Sequence, residues 1–241
     1  MKQISDALLA TFFPTSCRLC SQLIEDKACG VVCQKCWDNY LPFQLSKSCQ
    51  KCGYPSLSLE IENLPPKDCM YCRNALFSLV RSCGAYEGAM RASVLELKTS
   101  PYISEKLFEL IKNTLTQSNI LEQIDLIIPI PLHQYRLAKR SFNQAELIAE
   151  KISNFANIAL DNTSLARIKP TLKHRFGMDK IDRSNSLKGA FQVIRTRLIA
   201  NQVILLVDDV FTTGSTISAA ANELIKAKAK EVRVFTLART I

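Results

Sequence analysis

No stretch of this 241-residue chain is long and apolar enough to cross a bilayer, which takes about 20 consecutive apolar residues as a helix, so no membrane insertion is expected. The first apolar patch, residues 7–13, comes after Lys2 and Asp6. It is too short for the core of a secretion signal and has no small-residue cleavage site after it. A short amphipathic helix packing on the neighbouring downstream residues is the expectation, in a cytoplasmic protein. Histidine is scarce, His133 and His174 being the two, and both are weak candidates for a catalytic base. Acidic side chains are outnumbered, 22 against 31 Lys and Arg, and unevenly so: residues 1–80 hold eight basic against seven acidic, leaving 23 against 15 for the remainder. A basic excess of that kind suits polyphosphate ligands or nucleic acid. With 47% hydrophobic residues the chain can bury a real core, in one large domain or two smaller ones.

Cysteine, by contrast, is plentiful. Eight of the ten form four CxxC pairs, Cys17/Cys20, Cys33/Cys36, Cys49/Cys52 and Cys69/Cys72, separated by 12, 12 and 16 residues; Cys29 and Cys83 are left over. In a cytosolic chain such repeated pairs read as thiolate ligands for zinc, two sulfurs per knuckle, enough for two four-cysteine structural sites. Disulfide staples are the alternative for an oxidising compartment. A thioredoxin-like redox pair lacks the surrounding βαβ pattern. Spacing leaves open whether the pairs join sequentially or in a crossed pattern. Trp37, Tyr40, Phe43 and Tyr54 lie among Lys35, Lys47 and Lys51, and are either stacking partners for single-stranded nucleic acid or the small core of the metal module.

The segment 203–216, VILLVDDVFTTGST, is the most informative. Its apolar run is rich in β-branched residues and reads as an interior strand of a parallel sheet. Asp208 and Asp209 arrive at the carboxyl end of that strand. Thr212, Thr213, Gly214, Ser215 and Thr216 then precede a helical pattern at 217–228. Backbone N–H groups and hydroxyls at a helix start cradle a phosphate, with Gly214 permitting close approach. The two carboxylates suit sugar hydroxyls or a shared divalent metal. The string resembles the phosphoribosyl pyrophosphate (PRPP) motif of type I phosphoribosyltransferases.

Elsewhere the pattern predicts a polar loop at 53–68, a domain boundary within 73–83, helices at 90–98, 104–115 and 145–155, and a last strand at 231–237. Residues 124–132, IDLIIPIPL, read as a buried strand ended by Pro129 and Pro131. Arg136, Lys139 and Arg140 precede Ser141-Phe142-Asn143-Gln144 and add to an anion-attracting helix start. Residues 167–197, with nine basic side chains and two Asp, read as a mobile basic loop over the site.

The order of four CxxC pairs, AYEG (85–88), LK (97–98), DLIIPIPL (125–132), FNQ (142–144), RSN with a later AF (183–191) and LLVDDVFTTGST (205–216) resembles ComF/GntX-type proteins. Ser141 departs from it, standing where that family has glycine in RGFNQ. The resemblance implies an α/β fold: residues 1–80 an N-terminal helix and double-zinc-finger-like module, residues 81–241 a type I phosphoribosyltransferase-like domain with a mostly parallel sheet flanked by helices. It implies structural zinc at the eight CxxC cysteines, and PRPP with magnesium at Lys98, Pro129, Ile130, Pro131, Arg140, Asp208, Asp209, Thr212, Thr213, Gly214, Ser215 and Thr216, the two aspartates being the candidate catalytic pair. It leaves two functions. One is a competence protein acting in DNA uptake and natural transformation, with single-stranded DNA and DNA-uptake proteins as partners and PRPP as a ligand. The other is an active phosphoribosyltransferase of nucleotide metabolism, whose acceptor no residue identifies.

Overall fold

Strand-forming apolar runs build the frame of the computed structural model, which describes residues 15–55, 69, 71, 72, 75–170 and 189–241. The expected N-terminal helix, most of the 53–68 loop, the RSN segment, His174 and the middle of the basic loop lie outside those residues. Strands β1 (Leu79–Ala85), β2 (Leu126–Pro129), β3 (Ala159–Leu160), β6 (Val203–Phe211) and β7 (Glu231–Arg239) form one sheet in the order β1-β7-β6-β2-β3. Every pairing in it is parallel. Strands β4 (Leu165–Arg167) and β5 (Phe191–Val193) make a separate antiparallel pair. The helices are α1 (Gln34–Trp37), α2 (Gly88–Glu96), α3 (Glu105–Gln117), α4 (Gln134–Arg140), α5 (Gln144–Ala156), α6 (Thr196–Ile199) and α7 (Ser215–Lys226). This is the α/β architecture anticipated from the apolar runs, with three helices that the runs do not announce: α1 and α6 are single turns of four residues, and α4 buries no residue, so its sequence carries no periodic apolar signal.

Because successive strand residues point to opposite faces, β6 divides its side chains between two cores. Val203, Leu205 and Val207 join α3 and α5 on one face, while Ile204 and Leu206 join α7 on the other. Helix α3 turns Leu107, Ile111 and Leu115 inward, and Ser104 caps it by accepting from the Leu107 N–H at 3.2 Å. Each such fully buried aliphatic side chain contributes about 1.5–3 kcal/mol relative to exposure.

The cysteine-rich segment straddles the outer edge of the sheet. Cys17, Cys29, Cys33 and Trp37 pack into one core, whereas Cys49, Cys52, Cys69 and Cys72 pack into the core on the opposite face. Between them the Val80 N–H donates to the Lys51 carbonyl at 2.7 Å, Pro42 bridges Gly84, and the Tyr40 hydroxyl donates to the Cys83 carbonyl. An exposed edge strand is a template for unwanted pairing; here the cysteine-rich segment covers it. Gly84 is required for this contact, since a Cβ there would lie 2.6 Å from the Tyr40 hydroxyl oxygen. Of the module's aromatic residues, Trp37 and Tyr54 belong to its interior. Trp37 is 3% exposed and donates to the Cys29 carbonyl at 3.0 Å, and Tyr54 is stacked on Tyr71. Burial removes Trp37 and Tyr54 from any base-stacking surface.

Candidate functional site

Strand lengths create the crevice. Strand β2 ends where Pro129 pairs with Val207, the Ile130 N–H still donating to the Val207 carbonyl at 2.8 Å, while β6 stays paired with β7 as far as Phe211 and Arg239. Asp208 and Asp209 thus protrude beyond the end of their neighbour. The chain leaves β2 for α5 on one face and β6 for α7 on the other, so the gap between β2 and β6 is the topological switch point where open α/β sheets bind ligands.

A cavity of about 300 Å³ occupies that position. It brings together Lys98, Ile130, Arg140, Asp208, Asp209, Thr212 and Thr216 from the predicted set. Pro129, Pro131, Thr213, Gly214 and Ser215 do not line it. Tyr86, Arg136, Asn143, Gln144 and Arg167 do, and none of them is in the predicted set. Tyr86, Asn143 and Gln144 belong to the AYEG and FNQ segments, and Arg136 to the basic run ahead of α5, so motif membership is the signal. Arg167 opens the basic 167–197 stretch read as lying over the site, and arrives at the end of the short strand β4.

Polar contacts join the pieces. Asn143 caps α5 by accepting from the Ala145 N–H at 3.2 Å and donates to the Ile130 carbonyl at 3.0 Å, tying the helix start to the loop after β2. Arg140 donates to Gln144 Oε1 at 2.8 Å. The other end of that amide, Nε2, is buried without a partner among the described residues, and Gln144 is 3% exposed. A buried unsatisfied donor is unfavourable, and one on a cavity wall is available to a ligand. Burial, then the neighbouring Asp209 carboxylate, push the Asp208 carboxyl well above the usual range, against the opposing Asp209 N–H, which donates to it at 2.9 Å, and the Arg167 charge. A buried carboxyl beside a second carboxylate fits a divalent cation with oxygen ligands.

Gly214 caps α7 with φ 73°, and a Cβ on it would lie 2.6 Å from Phe211 Cζ. The glycine therefore serves the turn and the ring beneath it before it serves any phosphate. In the same loop the Thr213 and Ser215 hydroxyls bond each other at 2.8 Å. Ser141, the departure from RGFNQ, takes the left-handed conformation at φ 65° and ends α4 by donating to the Leu137 carbonyl. Such a conformation costs an L-residue about 1–2 kcal/mol, part of it offset by the greater freedom of an unfolded glycine. Ser141→Gly is therefore expected to stabilise the protein by roughly 0.5–1 kcal/mol, read as a higher urea midpoint at unchanged slope; an unchanged midpoint would contradict the strain.

The cysteines settle into two sequential groups, Cys17/Cys20/Cys33/Cys36 and Cys49/Cys52/Cys69/Cys72, each with its sulfurs within 4.8 Å of one another. Separations of 3.6 Å for Cys20 to Cys33, 3.6 Å for Cys49 to Cys72 and 3.7 Å for Cys52 to Cys69 match the roughly 3.8 Å edge of a tetrahedron with metal–sulfur bonds of about 2.3 Å. All ten cysteines are free thiols. Burial works against ionising Cys17, yet the backbone N–H groups of Cys33, Cys20 and Leu19 bring its thiol down to about 6, the behaviour of a ready metal ligand. Both clusters fit zinc. Among the described residues no helix is long and apolar enough to cross a membrane.

The model of the phosphoribosyl transferase domain family matches residues 96–240. Competence protein F of Haemophilus influenzae is 36% identical over 116 residues, covering 48% of this chain and 50% of that protein. DNA utilization protein YhgH of Escherichia coli is 32% identical over 121 residues, 50% of this chain and 52% of its own length. Competence protein ComFC of Bacillus subtilis is 34% identical over 119 residues, 48% of this chain and 45% of its own. The ComF-type resemblance is thereby borne out, and the chain spans about half the length of the curated relatives it matches.

Proposed function

This chain belongs to the phosphoribosyl transferase domain family, and on that premise we propose that it is a ComF-type competence protein whose switch-point cavity binds PRPP with magnesium. The observation that carries the reading is the meeting of Asp208, Asp209, Thr212 and Thr216 with Lys98 and Arg140 around one cavity, although these residues come from three separate stretches of the sequence. In this reading Asp208 and Asp209 hold the ribose hydroxyls. The turn at 212–216 receives the 5-phosphate at the start of α7. Lys98, Arg140 and the unpartnered Gln144 amide face the pyrophosphate. Bound magnesium supplies positive charge to the anionic leaving group. The two cysteine clusters hold zinc as structural metal, and the names of the relatives support a role in DNA uptake for transformation.

Turnover is the second reading, and a specific feature favours it. Lys98, Arg136, Arg140 and Arg167 gather around the cavity, and transfer of ribose 5-phosphate needs cations at the departing pyrophosphate more than it needs a base. Burial, followed by the Arg136 charge, holds the Arg167 guanidinium below its ordinary range, as expected of cations awaiting an anion.

One experiment separates the readings. Purified protein is mixed with PRPP and magnesium, with and without nucleobases, while melting temperature and pyrophosphate release are followed. A ligand-dependent rise without release supports a binding competence factor; release that depends on a base establishes the transferase. No rise and no release would end both. For DNA, the basic surface predicts weak binding of single strands that weakens steeply with salt through counterion release. Binding absent at about 50 mM salt, or insensitive to salt, would count against nucleic acid as a partner.

A further inference from the structure

Arg239 ends β7 with a side chain 1% exposed, and among the described residues no carboxylate pairs with it. A guanidinium keeps its charge inside proteins, so a buried one without a counter-charge is strongly unfavourable. Its surroundings show where the counter-charge comes from. It donates to the Cys52 carbonyl, while its plane lies 5.0 Å from the Tyr54 ring centre and 4.5 Å from that of Phe211. Its Nε has no partner among the described residues. Four thiolates around a divalent zinc carry a net double negative charge, and Arg239 stands at the wall of one such cluster. A second guanidinium, Arg81, flanks the same cluster by donating to the Gln50 carbonyl at 3.2 Å, so two arginines face two negative charges.

Arg239 also stacks near the ring that lies under the ligand turn. Phe211 pairs with it in the sheet, is braced edge-on by Phe77 at 6.1 Å, and fills the space a Cβ on Gly214 would need. The ring is a wedge between guanidinium and turn.

We infer that Arg239 is a positioning residue coupling the Cys49/Cys52/Cys69/Cys72 zinc site to the sugar-phosphate turn, its charge balancing the metal–thiolate group while its plane seats Phe211 beneath Gly214. The inference deepens the PRPP reading above and rests on it. Loss of the metal leaves Arg239 without its counter-charge, and the seat of Phe211 goes with it. Coupling of this kind is reciprocal: ligand on the turn holds Phe211 and Arg239 in place and slows release of the metal.

The test uses the full zinc-loaded chain, a chromogenic chelator to time zinc release, and calorimetric titration with PRPP and magnesium. Arg239→Met is expected to release one zinc of the two about 10-fold or more faster, the cost typical of losing an outer-shell partner, and to bind PRPP about 10-fold more weakly. Arg239→Lys, which keeps the charge without the plane, is expected to retain zinc near the wild-type rate yet bind PRPP weakly. Phe211→Leu is expected to weaken PRPP binding with zinc release unchanged. PRPP slows release of that zinc in wild type and not in Arg239→Met. Wild-type zinc release in Arg239→Met, or wild-type PRPP affinity in both Arg239 variants, overturns the coupling; if Arg239→Met does not fold, Arg239→Lys and Phe211→Leu decide it. Should wild type itself fail to bind PRPP, the ligand reading fails and the coupling with it, and the release rates then report only on the charge balance.

Discussion

With Asp208 and Asp209 both replaced by Asn, the protein is expected to fold, keep its zinc and lose all response to PRPP. The exchange removes two charges and leaves side-chain volume nearly unchanged, so the register of β6 with β7 and the packing of α7 survive. A ligand that binds only the native state adds about 2.7 kcal/mol at a hundredfold excess over its dissociation constant, and for a chain of this size that is a rise of roughly 5–10 °C. Wild type shows the rise; the variant shows none. The ligand-free proteins add a second readout. Burial and Asp209 raise the Asp208 carboxyl in the folded state, so the folded state binds its proton more tightly than the unfolded one, and stability falls as pH climbs above the unfolded value of about 3.9. The variant lacks that penalty and should melt at least as high as wild type at pH 7, the gap closing at acid pH. If the aspartates only cap a turn, the variant melts lower without ligand and still responds to PRPP, and the ligand reading is retired.

Removing zinc should have the other large effect. Metal analysis is expected to find about two zinc per chain, and stripping them should lower the melting temperature of the whole protein by roughly 10 °C or more, since structural zinc contributes on the order of 10 kcal/mol to small modules and each kcal/mol moves a chain of this size by about 2–4 °C. The reason for a global effect lies in the packing. Cys17 and Cys33 sit in one core of the sheet and Cys49, Cys52, Cys69 and Cys72 in the other, so losing either metal opens a sheet face and uncovers the edge of β1. Cys52→Ser is expected to lose one zinc and Cys20→Ser the other. Fewer than about one zinc per chain, or melting unaffected by a chelator, would remove the metal from the account of stability.

The helix Gln134–Arg140 shows why parts of the molecule are illegible in sequence. It buries nothing and is held by its ends, His133 accepting from the Tyr135 N–H and Ser141 in the left-handed turn. β1 is obscure for a different reason: Arg81, Ser82 and Gly84 interrupt its apolar pattern, and only pairing with β7 along its length makes it a strand. The two- and three-residue strands β3, β4 and β5 are too short to carry a period. Gly214 is recognisable in sequence but for an incomplete reason, because the ring that requires it is found only in three dimensions.

Local chemistry alone determined the strand at 203–207, the acids after it, the turn at 212–216, the CxxC knuckles and the fold class, because each depends on residues within a few positions of one another. Which knuckles cluster together, which strand stops short of Asp208, and how Tyr86, Gln144 and Arg167 reach one cavity were decided by tertiary structure. Those outcomes depend on sheet order and on pairing between segments far apart in sequence. Arg239 is the clearest case: in sequence it is one basic residue near the end of a strand, and only tertiary structure buries it between Cys52 and Phe211, beside a four-cysteine cluster and the ring under Gly214.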